Sequence, residues 1–110
     1  MAYDEALAER IRQRLGDEPG VTEKKMFGGL AFLINGNLSV AASGQGGLMI
    51  RCAPQETDSF LEEPGAEPLV MRGRAMEGWL RVSEDAVSGE AELSRWVDRG
   101  ASHARTLPPK

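Results

Sequence analysis

The sequence predicts an α+β fold: an antiparallel sheet of about five strands, with N- and C-terminal helices packed on one face. Three observations predict it. Apolar residues recur at helical spacing near both ends, as Leu7, Ala8, Ile11 and Leu15, then as Leu93, Trp96, Val97, Ala101 and Ala104. Between them, short apolar runs alternate with glycine-rich turns, the pattern of a meander. Each end segment carries one apolar stripe, so it must lie on another layer rather than stand alone.

The elements follow in order. Asp4 caps the first helix, Glu5 suits its positive end, and Gly16 ends it before the turn Asp17-Glu18-Pro19-Gly20. Val21 to Phe27 is the first strand, and Gly28-Gly29 marks a turn or bulge. Leu30 to Ile34 is apolar on both faces, which argues for a central strand. Asn35-Gly36 is a two-residue hairpin signal, leading into a strand from Leu38 to Ala42. The loose turn Ser43-Gly44-Gln45-Gly46-Gly47 precedes a strand from Leu48 to Cys52. Pro54 opens a short helix with Phe60 and Leu61 toward the core. Leu69 to Met71 reads as an edge strand, Arg72-Gly73-Arg74 as a loop, and Met76 to Val82 as the last strand. Ser83 is placed to cap the final helix, with Glu84 and Asp85 in its first turn and Gly89 weakening its start. Pro108-Pro109-Lys110 reads as a frayed end, and Trp79 and Trp96 as core residues packed near each other.

Size and composition bound the function. A chain of 110 residues has room for one domain, 1–110, without internal repeats or a linker. Its mean hydropathy of −0.35 and 41% hydrophobic content fit a globular domain rather than a disordered or membrane-embedded chain. The longest mostly apolar run, Leu30 to Ile34, is far short of a membrane span. The acidic start of the chain is unlike a secretory leader, so the cytoplasm is the expected location. One cysteine excludes an internal disulfide and a multi-cysteine metal cage, and one histidine excludes a two-histidine zinc site. The net charge of −4 opposes direct nucleic-acid binding.

No coherent catalytic set emerges. Cys52 lies in an apolar strand and reads as a buried thiol; as a nucleophile it would need His103 beside it. His103 falls in the last turn of the final helix, where the helix dipole favours a cation. The glycine loops lie between strands and lack the lysine and helix start of a phosphate-binding loop. No catalytic residue, cofactor or metal ligand is therefore expected. The remaining constellation is basic: Lys24, Lys25, Arg51, Arg72 and Arg74 fall on or beside strands. Alternation separates Lys24 from Lys25 and sets Arg51 opposite Ile50, so several of these cations can gather on a face the helices leave open. They form the candidate interaction surface, for a protein contact or, as an alternative, a nucleic acid.

The stretch Glu23-Lys24-Lys25-Met26-Phe27-Gly28-Gly29-Leu30-Ala31-Phe32-Leu33-Ile34-Asn35-Gly36 resembles the signature of the TfoX/Sxy N-terminal domain family. Leu48-Met49-Ile50-Arg51, Arg74-Ala75-Met76-Glu77-Gly78-Trp79 and Trp96-Val97 continue the likeness in the family's order. The resemblance implies a compact α+β unit similar to secretion-chaperone folds, with no established catalytic residues to carry over. It also implies a regulatory role: the name-giving members are bacterial competence regulators linked to promoter DNA, and they carry a second, helical C-terminal domain. The expected function is a non-catalytic protein-interaction or regulatory module. The alternatives are a DNA-linked co-regulator of competence type and a small enzyme using Cys52. Expected partners are a second copy of the chain and another protein, not a membrane. The homodimer would use the open sheet face or an edge strand, with Arg51 and Lys25 near the rim.

Overall fold

The computed structural model describes residues 3–26 and 28–110. Phe27, the expected last residue of the first strand, lies outside the described residues.

Helix α1 spans Glu5–Arg14 and starts as predicted: Asp4 Oδ1 accepts hydrogen bonds from the Ala6 and Leu7 amides at 2.9 and 3.1 Å. Four strands follow, β1 (Val21–Met26), β2 (Gly29–Ile34), β3 (Asn37–Ala42) and β4 (Leu48–Arg51). A 3-10 turn at Pro54–Glu56 leads into the short helix α2 (Thr57–Leu61). Strands β5 (Ala66–Met71) and β6 (Arg74–Val82), a second 3-10 turn (Asp85–Val87) and helix α3 (Glu90–Thr106) complete the chain. All pairings are antiparallel, in the order β1-β2-β3-β4-β6-β5.

The sheet thus has six strands where the sequence indicates about five. The edge strand expected from Leu69 to Met71 is one of them, and it starts earlier: Ala66 to Pro68 lie in register with Val82 to Leu80. Pro68 is accommodated because β5 is an edge strand. Arg74 belongs to β6 and the turn is confined to Arg72-Gly73. Strand β2 lies inside the sheet but not at its centre, which β3 and β4 occupy. Its two apolar faces are nonetheless both used. Leu30, Phe32 and Ile34 join the main core under the helices, while Ala31 and Leu33 join a smaller cluster on the other face.

The helical layer is set by one close approach. The β2–β3 register slips after Phe32, leaving Ser39 as an extra, bulged residue whose Oγ donates to the Phe32 carbonyl at 2.7 Å. Helix α3 crosses this point at Gly100. A Cβ there would abut the Ser39 carbonyl and sit 2.7 Å from Val40 Cγ1. Glycine in a helix interior costs about 1 kcal/mol in propensity, so this position trades helix stability for proximity to the sheet. Leu93, Trp96, Val97, Ala101 and Ala104 then seal the main core with Leu7, Ala8 and Ile11 of α1. Trp96 is fully buried and meets Phe60 edge-on, with ring centroids 5.9 Å apart.

Three further expectations are corrected. Ser83 Oγ accepts from the Ala86 amide and so caps the 3-10 turn, not α3. That helix begins after Gly89, the residue expected to weaken its start, which is extended at φ −84° and ψ 147°. Trp79 and Trp96 lie on opposite faces of the sheet, because Trp79 alternates with the core residues Leu80 and Val82. The chain end is pinned rather than frayed: the Lys110 amide donates to the Asn35 carbonyl at 2.8 Å, and buried Asn37 donates from Nδ2 to the Pro108 carbonyl at 3.0 Å.

The close approach makes a prediction. Gly100→Ala removes the propensity cost but forces a methyl into Ser39 backbone that cannot turn aside, an overpacking change at the upper end of roughly 1–3 kcal/mol. Urea denaturation should show a net loss of about 1 kcal/mol or more. An unchanged or raised midpoint would mean that α3 does not rest on the bulge.

Candidate interaction surface

The two faces of the sheet differ in how their charges are satisfied. On the helix side, each arginine of α1 and α3 has a carboxylate partner. Arg10 meets Glu90, Arg12 meets Glu9 and Glu23, and Arg14 meets Asp98. Arg95 and Arg99 share Glu63, and Arg105 meets Glu18. Arg99 also lies over the rings of Phe60 and Trp96, at 4.4 and 4.7 Å. Its Nη1 is buried without a hydrogen-bond partner, so the ring faces are what offset its charge there. These arginines hold the Glu18, Glu23 and Glu63 carboxyls below the usual carboxylate range, chiefly by hydrogen bonding.

The strands behave otherwise. Among the described residues, none of Lys24, Lys25, Arg51, Arg72, Arg74 and Arg81 forms a salt bridge. The register shows which face each occupies. Lys24, Ala31, Ala41, Met49, Arg81 and Glu67 form one row across all six strands on the helix-free face. Arg51 pairs across β4 and β6 with Trp79 on the same face, its guanidinium 5.4 Å from the ring centroid. Arg72 and Arg74 are exposed at the turn of the β5–β6 hairpin, Arg72 at φ 54°. Lys25 stands apart. It is in register with the core residue Leu30, so it emerges on the helix side of the β1 edge.

Arg81 was not singled out from the sequence. The alternation Trp79-Leu80-Arg81-Val82 carries the signal, because buried Leu80 and Val82 put Arg81 and Trp79 together on the opposite face.

The helix-free face has its own apolar lining. Ala31, Leu38, Ala41, Met49 and Leu69 are buried there, with Met26, Leu33 and Trp79 partly buried around them. Leu69 reaches this cluster because the hairpin bends. Pairing shifts between Pro68 and Val70, and β6 turns at Gly78, whose φ of +84° few other residues adopt. Beyond the bend the hairpin exposes Val70 (57%), Met71 (40%) and Met76 (38%), the large exposed apolar side chains among the described residues. The bend leaves an open groove of about 620 Å³ lined by Met49, Leu69, Val70, Met71, Arg72 and Arg81, with Glu67 also on its wall.

A second groove, of about 790 Å³, lies between the Pro54–Glu56 turn and α3 and includes His103. Burial, and then the charge of Arg51, push the His103 imidazole below its ordinary pKa, so the neutral ring is favoured rather than the cation expected at a helix end. Cys52 is buried, its nearest polar neighbour is Thr57 Oγ1 at 4.0 Å, and burial raises its pKa. No hydrogen bond joins it to His103 among the described residues. Among those residues, no group of three or more His, Cys, Asp or Glu side chains is placed to hold a metal. No helix there is long and apolar enough to cross a membrane.

Two measurements check this electrostatic picture. A folded-state pKa below the unfolded one means that the unfolded chain binds more protons, so stability is lost as pH falls. Urea stability should therefore decline first below about pH 6.5 as His103 titrates, then further below about pH 4.3 as Glu18, Glu23 and Glu63 protonate. His103→Gln should flatten the first stage and leave the second; an unaltered first stage would locate that proton elsewhere. Separately, a maleimide should label Cys52 in the native protein far more slowly than in urea. Equal rates would mean that the thiol is accessible.

Searches against curated proteins and against solved structures return no match. The family model for the TfoX N-terminal domain matches residues 13–104, most of the chain, and the chain belongs to that family.

Proposed function

We propose that the protein is a non-catalytic interaction module of the TfoX N-terminal type, acting in the bacterial cytoplasm through the helix-free face of its sheet. The observation that carries this reading is the division of charge. The helix arginines are paired, whereas among the described residues Lys24, Arg51, Arg72, Arg74 and Arg81, beside an apolar surface, form no salt bridge. Sheet faces open to water are usually polar, so Val70, Met71 and Met76 beside this face are better matched to a partner than to solvent. The buried thiol and the absence of a base hydrogen-bonded to it support the non-catalytic part. A DNA-linked regulatory role would on this reading pass through a protein partner, because the net charge of −4 opposes direct contact.

Pairing with a second copy through an edge strand, β1 or β5, belongs to the same proposal. Both parts are tested with a photo-crosslinking residue at Met76, and a control at exposed Glu92 on α3. Irradiated bacterial lysate should give adducts from position 76 and not from position 92. Light scattering of the purified chain should give twice 11.9 kDa. Equal crosslinking from both positions would overturn the face as the site, and a monomer mass across a wide dilution range would remove the second copy.

A further inference from the structure

We propose, on the basis of the interaction reading above, that the groove on the sheet face takes an acidic peptide segment of a partner protein, anchored by apolar side chains. Its floor is Met49, Leu69, Val70 and Met71, and its volume of about 620 Å³ is of the size that seats a few side chains rather than a folded domain. Methionine-rich floors adapt to varied apolar shapes, so they set the class of anchor and not one residue. Arg72 and Arg81 line the same groove without a salt bridge, and Arg51 and Arg74 flank it on the β4–β6 side and at the hairpin turn. Two carboxylates, Glu67 opposite Arg81 and Glu77 beside Arg74, lie among these four arginines, so the surroundings remain net positive. Apolar anchors with aspartate or glutamate between them complement both features, and the charges would speed docking and fix its register.

Two other occupants fit less well. A symmetric second copy seated on this face would bring the same net-positive patch against itself, since a two-fold interface uses one surface on both subunits. A single-stranded nucleic acid would want aromatic rings on which to stack bases. Among the described residues the face offers only Trp79, and Arg51 already lies over that ring.

The test is fluorescence anisotropy with three labelled peptides of equal length. The first carries Leu and Phe anchors with Glu and Asp between them, the second replaces the acids with Lys, and the third replaces the anchors with Ser. A poly-dT oligonucleotide is the fourth probe. The acidic, anchored peptide should bind about tenfold or more tightly than the other two, and more weakly as salt is raised. The double variant Arg72→Glu, Arg81→Glu should reverse the preference toward the Lys peptide, an outcome that misfolding cannot produce. Should the double variant unfold, Arg72→Glu alone, at an exposed turn, should narrow the preference. Equal binding of acidic and basic peptides, no change of preference in the folded variant, or preferential binding of the oligonucleotide would each overturn the inference. Crosslinking from position 76 without preference for the acidic peptide would leave the interaction reading intact and remove only this one. Failure of both experiments would remove both.

Discussion

The packing of Gly100 on the Ser39 carbonyl is the constraint from which the rest of the structure follows. The bulge at Ser39 lifts backbone toward the helices, and only a residue without a side chain lets α3 lie directly on it. At that spacing, Trp96 and Val97 reach the core face of the sheet and α1 fits alongside, closing one continuous core. Both long helices are spent on that face. The other face has no helical cover, and its strands meet their own apolar needs with small residues, Ala31 and Ala41, and with a bent hairpin that delivers Leu69.

This division explains why the charges fall as they do. Arginines on the helices lie near carboxylates of neighbouring elements and find them, mostly at exposed positions where each pair adds little stability. Glu63 is different in kind. It holds two arginines, one of which is sandwiched against Phe60 and Trp96, so it fastens α2 to α3. On the helix-free face Arg51 lies over Trp79, and among the described residues Lys24, Arg51, Arg72, Arg74 and Arg81 form no salt bridge.

Much of this was legible in the sequence because it rests on local rules. The Asp4 cap, the Asn35-Gly36 hairpin, the two helical stripes and the cations of the strands follow from spacing and turn chemistry. What was not legible depends on contacts between distant segments. Pro68 hides only the first half of β5, which is tolerable there because β5 is an edge. The Pro108–Lys110 tail looks disordered by composition, yet it is anchored by atoms of residues 35 and 37. His103 sits where a helix dipole favours a cation, but burial and Arg51 outweigh the dipole. Of the site residues, Lys24 and Arg51 share the helix-free face, Arg72 and Arg74 stand at its hairpin, and Lys25 faces the other way. Alternation already separated Lys25 from Lys24; register decided which face each took, and that needs the partner strand.

The segregation of charge also changes how the molecule presents itself at a distance. The principal dimensions are 31 × 31 × 28 Å, about three Debye lengths at 0.1 M salt. Carboxylates that form no salt bridge among the described residues, such as Glu5, Asp58 and Glu92, sit on the helices, on the side away from Lys24 and Arg81. The cations of the sheet face are therefore set apart from most of the acidic side by the body of the domain. The isoelectric point near 5.0 describes migration in an applied field, and it does not describe the charge of this face. The domain's formal charges are thus divided across its sheet, with the acidic excess on the helix side and a basic excess on the helix-free face.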